Sequence, residues 1–213
     1  MSSPPPSTEE LVLLGARVAV RDSAHVRLRQ VRPSDRELLV RGFERLSPES
    51  RYRRFLAGKT ELGEEQLRYL TEVDHTDHEA IVALDAETGE GVGVARYIRD
   101  PDRPDTAEVA VTVIDDWQHR GVGTLLLEVL GARARAAGIT HFTAVMLATN
   151  TEMLDVFKAL GPVRIVDHEA GTVEIETPIP AVGLAPALRK LLRIAASEPL
   201  VAAASAGSMS RRR

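Results

Sequence analysis

A chain of 213 residues with 44% hydrophobic and 27% charged content is long enough for one globular domain with an ordinary core. The absence of cysteine excludes disulfides and fits a reducing compartment, so a cytoplasmic location is expected. A net charge of −4 gives no global pull toward nucleic acid or an anionic membrane, and any anionic ligand must be held by local groups.

The opening MSSPPPSTEE lacks a basic start, and the apolar stretch 11–20 is short and broken by Gly15 and Arg17. It reads as neither a signal peptide nor a membrane span. Residues 1–24 are therefore expected to be disordered or loosely docked. Alternation in HVRLRQVR (25–32) predicts a strand with one wet face, and 33–35 open a helix reaching about residue 46. Ser47 and Pro48 make a good start for a second helix, SPESRYRRFLAG. Leu67, Leu70 and Val73 mark a third over 64–73. Two apolar runs, 79–85 and 92–99, flank the turn AETGEG and predict a hairpin, with 107–114 as a third strand. Beyond residue 138 the pattern gives a strand at 141–148, a helix at 151–160, and strands at 162–168 and 172–177. In 185–194, Leu188, Leu191 and Leu192 oppose Arg189, Lys190 and Arg193, so 181–213 reads as an amphipathic helix that docks, followed by a disordered tail. This order of elements specifies a mixed α/β sheet.

Between the third strand and the next stretch stands DDWQHRGVGTLLLEVLGARARAAG, in which two glycines, Gly121 and Gly123, lie between a strand and a helix start. A helix start leaves its first amides without intrahelical partners, and glycine lets a ligand approach the backbone. Such a turn suits a phosphate, although glycine pairs also serve as plain tight turns. A P-loop would need a Lys-Ser/Thr pair after its last glycine and a dinucleotide fingerprint a third glycine at 126. Position 124 is Thr and 126 is Leu, so neither is present.

The stretch Gln118-His119-Arg120-Gly121-Val122-Gly123, with the strand before it and Asn150 and Gly161 after it, resembles the GNAT superfamily of acyl-CoA-dependent N-acyltransferases over residues 25–178. The resemblance implies an α/β fold in 25–180: one mixed, mostly antiparallel sheet of six to seven strands flanked by helices, with a V-shaped split between its two central parallel strands. It implies acetyl-CoA as acyl donor and no metal. Val111, Thr112 and Val113 would bind the pantetheine arm, Gln118, His119, Arg120, Gly121, Val122, Gly123 and Thr124 would cradle the diphosphate, and Asn150 would touch the cofactor.

More narrowly, VRPSDRELL, LSPESRYRRF, DHTDHEAIVAL and AEVAVTVIDDWQHRGVGT are similar to the catalytic domain of bacterial Pat-type protein lysine acetyltransferases. That implies a protein substrate with an acceptor lysine, an acyl-CoA synthetase being one such protein, with neither nucleic acid nor membrane as partner; no oligomeric state follows. It also makes Glu108 the general base. Freeing a lysine amine near neutral pH costs about 4–5 kcal/mol from its reference pKa of ~10.4. Burial of Glu108 among Val109 and Val111 is expected to raise its basicity. A backbone amide near Val113 would stabilise the oxyanion. Phe157 occupies the position where many relatives carry a proton-donating tyrosine.

A small-molecule amine acceptor, or a non-catalytic module that senses acyl-CoA, remains open. His75 and His78, with Asp74, Asp77 and Glu79, read as a hydrogen-bonded turn rather than a metal site. Arg51, Arg53 and Arg54 form a basic helical face that is either solvated or available to an acidic partner or the CoA 3′-phosphate. Trp117 reads as a wedge between strand and helix, with a lid over the cofactor as the alternative.

Overall fold

Alternating and continuous apolar runs become the strands of one sheet in the computed structural model, which describes Gly15 and residues 17–180. The segments 1–14 and 181–213, with the expectations attached to them, lie outside the described residues. The strands are β1 (Arg17–Ala19), β2 (His25–Gln30), β3 (His78–Asp85), β4 (Gly91–Arg99), β5 (Thr106–Val113), β6 (His141–Leu147), β7 (Arg164–Glu169) and β8 (Thr172–Pro178). Their order is β1-β2-β3-β4-β5-β6-β8-β7. Every neighbouring pair is antiparallel except β5 and β6. The eighth strand, β1, falls in the segment left outside the sheet by pattern alone. Only Val18 of its three residues is buried, which gives too little alternation to read.

Five helices cover the sheet: α1 (Arg36–Glu44), α2 (Pro48–Phe55), α3 (Glu64–Thr71), α4 (Val122–Ala136) and α5 (Thr151–Leu160). The start of α2 is capped as its sequence predicts, with the Ser47 hydroxyl accepting from the Ser50 amide and Pro48 in the first turn. Helix α4 packs on one sheet face and against α5. Leu125, Leu126, Leu127, Val129 and Leu130 are all at most 2% exposed, so this helix is apolar around most of its circumference. Truncating one of these leucines to alanine would cost about 2–5 kcal/mol. On the opposite face a smaller cluster of Val31, Ala80 and Val82 packs with Leu38, Val73, Leu84 and Val94 beneath α1 and α3.

Between β3 and α4 lies Glu79, fully buried. Its carboxylate accepts from Gln30 Nε2 at 2.9 Å, Arg133 Nε at 3.0 Å and the Ala80 amide at 2.9 Å, and meets His75 Nδ1 at 2.7 Å. A buried charge is tolerable only when so paired, and this one ties β2, β3, α4 and the turn before β3 together. His75 and Asp74 build that turn, with Asp74 Oδ1 accepting the amides of Thr76, Asp77 and His78.

The feature that positions the site is where pairing stops. The parallel ladder joins Thr106, Ala107 and Glu108 to His141, Phe142 and Thr143 and goes no further. Beyond Glu108, β6 pairs with β8 alone, β5 pairs with β4 alone, and a V-shaped split opens between the two parallel strands.

Candidate functional site

At the open end of the split, the chain leaves β5 and enters α4 through Gln118–Gly121 without any side-chain cap on the helix. Gly121 has φ +87° and His119 φ +59°. Left-handed residues alternating with their neighbours turn successive amides toward one side, an anion-binding nest. Only glycine adopts the Gly121 conformation without strain. No acceptor among the described residues pairs with the amides from His119 through Thr124; the first helical bond is from Leu125 to the Gly121 carbonyl. The carbonyls behind the turn are occupied instead: the Arg21 amide bonds Arg120 O at 3.1 Å and the Arg21 guanidinium bonds His119 O at 3.2 Å.

These amides open on a cleft of about 480 Å³. Val111, Thr112, Val113, Gln118, His119, Gly121, Gly123, Thr124 and Asn150, all predicted to hold the cofactor, line it together. Two predicted residues do not. The Val122 side chain is buried in the core, and Arg120 stacks over Trp117 at 5.2 Å, so neither side chain forms part of the cleft wall. Gln118 donates from Nε2 to Val113 O at 3.1 Å and to Ser50 Oγ at 3.2 Å, latching the end of β5 to α2. Asn150 caps α5 by accepting the Met153 amide at 3.2 Å, leaving its NH₂ for a ligand. Trp117 is partly buried against the core and also lines the cleft.

At the other end of β5 the structure departs from expectation. Glu108 is exposed rather than buried among Val109 and Val111. Alternation explains this: Val109 and Val111 point toward α4, whereas Glu108 shares the opposite face with Ala110 and Thr112. That face lies toward Arg54 of α2 and Tyr69 of α3. Burial holds the Arg54 guanidinium below its usual range, while the charges of Glu108 and Tyr69 act in the opposite direction. Phe157 is buried in the core and does not line this cleft.

Several cleft residues escaped the sequence reading. Arg21 lies in the segment expected to be loose. Ser50 and the α5 residues Glu152, Met153 and Asp155 come from helices with no ligand motif. The basic face of α2 did give a partial signal, and the structure divides it. Arg53 and Arg54 line the cleft, with Arg53 paired to Glu152 at 2.9 Å, whereas Arg51 turns away to Leu46 O and the Phe43 ring. Asp115 anchors the start of α2; burial pushes its carboxyl up, but hydrogen bonds from Ser47 and Ser50 outweigh this and hold it below the usual range. Among the described residues, no helix is long and apolar enough to cross a membrane.

Residues 41–161 match the model of the acetyltransferase (GNAT) family. The chain is 36% identical over 169 residues to the acetyltransferase Pat of Mycolicibacterium smegmatis, covering 79% of this chain and 50% of that protein. It thus spans about half the length of that relative. It is also 36% identical to an acetyltransferase of Pseudomonas aeruginosa, over 71% of this chain and 82% of that one. The crystal structure of the GNAT domain of S. lividans PAT superposes with a TM-score of 0.71 at 34% identity, covering 77% of this chain and 96% of that one.

Proposed function

Because the chain belongs to the acetyltransferase (GNAT) family, we propose that it transfers the acetyl group of acetyl-CoA to a lysine side-chain amine of a protein. One observation carries the reading: the unpartnered amides from His119 through Thr124 face a cleft at the open end of the sheet's split. A diphosphate offers those amides the acceptors they lack. The free edge of β5 offers ladder groups to the amides of a pantetheine arm, as it would to an added strand.

In this reading the thioester lies beside Ala110 and Thr112, two and four residues from Glu108 along the strand. Glu108 takes a proton from the acceptor ammonium, directly or through a water. The amine nitrogen then attacks the thioester carbonyl carbon, the C–N bond forms and the C–S bond breaks. A main-chain amide near Val113 stabilises the carbonyl oxygen. Buried Phe157 donates nothing, so CoA leaves as thiolate, consistent with a thiol reference pKa of ~8.5, and the second amine proton passes to it or to solvent.

The exposure of Glu108 favours a protein acceptor. A small amine would be enclosed by the enzyme, whereas a docking protein covers the carboxylate and supplies the desolvation that strengthens it as a base. The test is incubation with labelled acetyl-CoA and a cell extract, alongside a melting curve. Acetyl-CoA at about 100 times its Kd adds about 2.7 kcal/mol, or roughly 5–10 °C for a chain of this size. Label in protein supports the reading. Label only in small amines redirects it to a small-molecule acceptor, a shift without label to a sensor, and no shift removes it.

A further inference from the structure

A second, smaller cavity, of about 70 Å³, lies beneath α1 and α3 and meets the cofactor cleft at Arg54 and Thr112, which line both. Its walls are apolar, with Leu38, Phe43, Leu70, Val82 and Val94 among them, yet two guanidinium groups face it, Arg54 and Arg96. Arg96 is 4% exposed. It contacts His78 Nε2 at 3.1 Å and donates to Leu70 O at 3.2 Å, and both partners are neutral acceptors. Burial above all, with the neighbouring Arg96 charge, lowers His78 to about 4, so it brings no charge of its own near neutral pH. Arg54 forms neither a hydrogen bond nor an ion pair with any described residue; it stacks over the Phe55 ring at 5.0 Å and feels the charges of Glu108 and Tyr69 only beyond ion-pair distance. No carboxylate among the described residues pairs with either cation. Burial, and then the charge of Arg54, brings Arg96 down to about 10, so the two groups sense each other. Two cations lining an apolar chamber with no carboxylate in direct contact are unfavourable unless a ligand brings one.

We propose that this chamber receives the free carboxylate of a short dicarboxylic acyl thioester of coenzyme A, so that the protein transfers an anionic acyl group as well as acetyl. The inference rests on the acyltransferase reading above. The cavity branches from Thr112, on the strand that holds the donor, while Glu108, beside which the acceptor arrives, lines neither opening. The chamber therefore extends the donor's site. Its apolar walls take the methylene groups, and Arg54 and Arg96 take the terminal carboxylate. The reaction is otherwise unchanged. The amine nitrogen bonds to the thioester carbonyl carbon, the C–S bond breaks, Glu108 accepts the proton and CoA departs as thiolate. The distal carboxylate stays intact, and no oxidant or reductant is needed.

The experiment measures binding of acetyl-CoA, butyryl-CoA and succinyl-CoA to the full chain by calorimetry, then acyl transfer from each to extract proteins by mass spectrometry. Succinyl-CoA is expected to bind at least tenfold tighter than butyryl-CoA, its uncharged four-carbon counterpart, and to leave succinylated lysines. Arg96→Met is expected to erase that tenfold ratio. Should Arg96→Met fail to fold, Arg54→Met is read by the same ratio. A chain that binds acetyl-CoA but takes butyryl-CoA as well as or better than succinyl-CoA, or whose ratio survives substitution of the arginines, overturns the chamber assignment alone. A chain that binds none of the three thioesters overturns the acyltransferase reading with it.

Discussion

At the carboxyl end of β5 the groups offered to a ligand are main-chain amides, set by the φ angles of His119 and Gly121 and by the start of α4. At its amino end they are side chains: Glu108 on the open face, Arg54 and Tyr69 above it, and His78 with Arg96 alongside. The first kind of site depends on local backbone conformation and tolerates most side-chain changes. The second depends on individual residues drawn from α2, α3, β3, β4 and β5, and one substitution can remove a function outright.

The largest expected effect tests the side-chain end. Glu108→Gln should lower turnover by about 10²–10⁴-fold, the usual contribution of a general base, while the melting shift with acetyl-CoA stays as in the wild type. Loss of that shift would erase the distinction between the two ends.

Next comes pH, where the two ends pull in opposite directions. Behind the amide end, on α4, Glu128 is 7% exposed and its Oε1 has no partner, and burial pushes its carboxyl from 4.5 up to about 7. The folded state then holds the proton more tightly than the unfolded one, so Glu128 weakens the fold as pH rises through that window, by up to about 3 kcal/mol above it. On the acceptor face His78 is lowered from 6.5 to about 4, chiefly by burial. The unfolded state there binds more protons, so His78 weakens the fold as pH falls through its own window. Glu128→Gln should raise stability at pH 8 by up to about 3 kcal/mol and leave a melting temperature that declines from pH 6.5 toward 4. A variant with no gain at pH 8, or with a flat profile below 6.5, would show that one of the two groups is solvated.

Smaller effects separate two glycines of the same turn. A side chain at Gly121 meets nothing within 4 Å but must take φ +87°, so Gly121→Ala should cost about 1–2 kcal/mol and lower the melting temperature by a few degrees. At Gly123 an added Cβ would touch Val113 at 3.7 Å, an ordinary contact. Gly123→Ala should therefore leave stability nearly unchanged while weakening acetyl-CoA binding. Unchanged binding would mean that the ligand does not pass there. The smallest change is Asn150→Ala, which removes the α5 cap and should cost about 1 kcal/mol in a melting curve.

What could be read from the sequence follows the same division. The turn at Gly121, the Ser47–Pro48 helix start and the helix at 151–160 were legible because each is encoded by neighbours within a few residues. The exposure of Glu108 was not, since alternation fixes which residues share a face but not which face a helix covers. Arg96 gave no signal at all. It sits inside an apolar-looking strand, and its partners His78 and Leu70 come from elements far away in the chain. The amide nest was visible from its glycines, whereas Arg21, which holds it from behind, lay in a stretch too short and irregular to read as structure.

That tether bears on how short the chain can be made. A version starting at His25 retains the residues of every strand and helix except β1 and the turn after it, but loses the two Arg21 bonds that brace the His119 and Arg120 carbonyls. The same cut takes Val18 and Val20 out of the main core, so a few residues at the outermost edge of the sheet serve the fold and the turn at once.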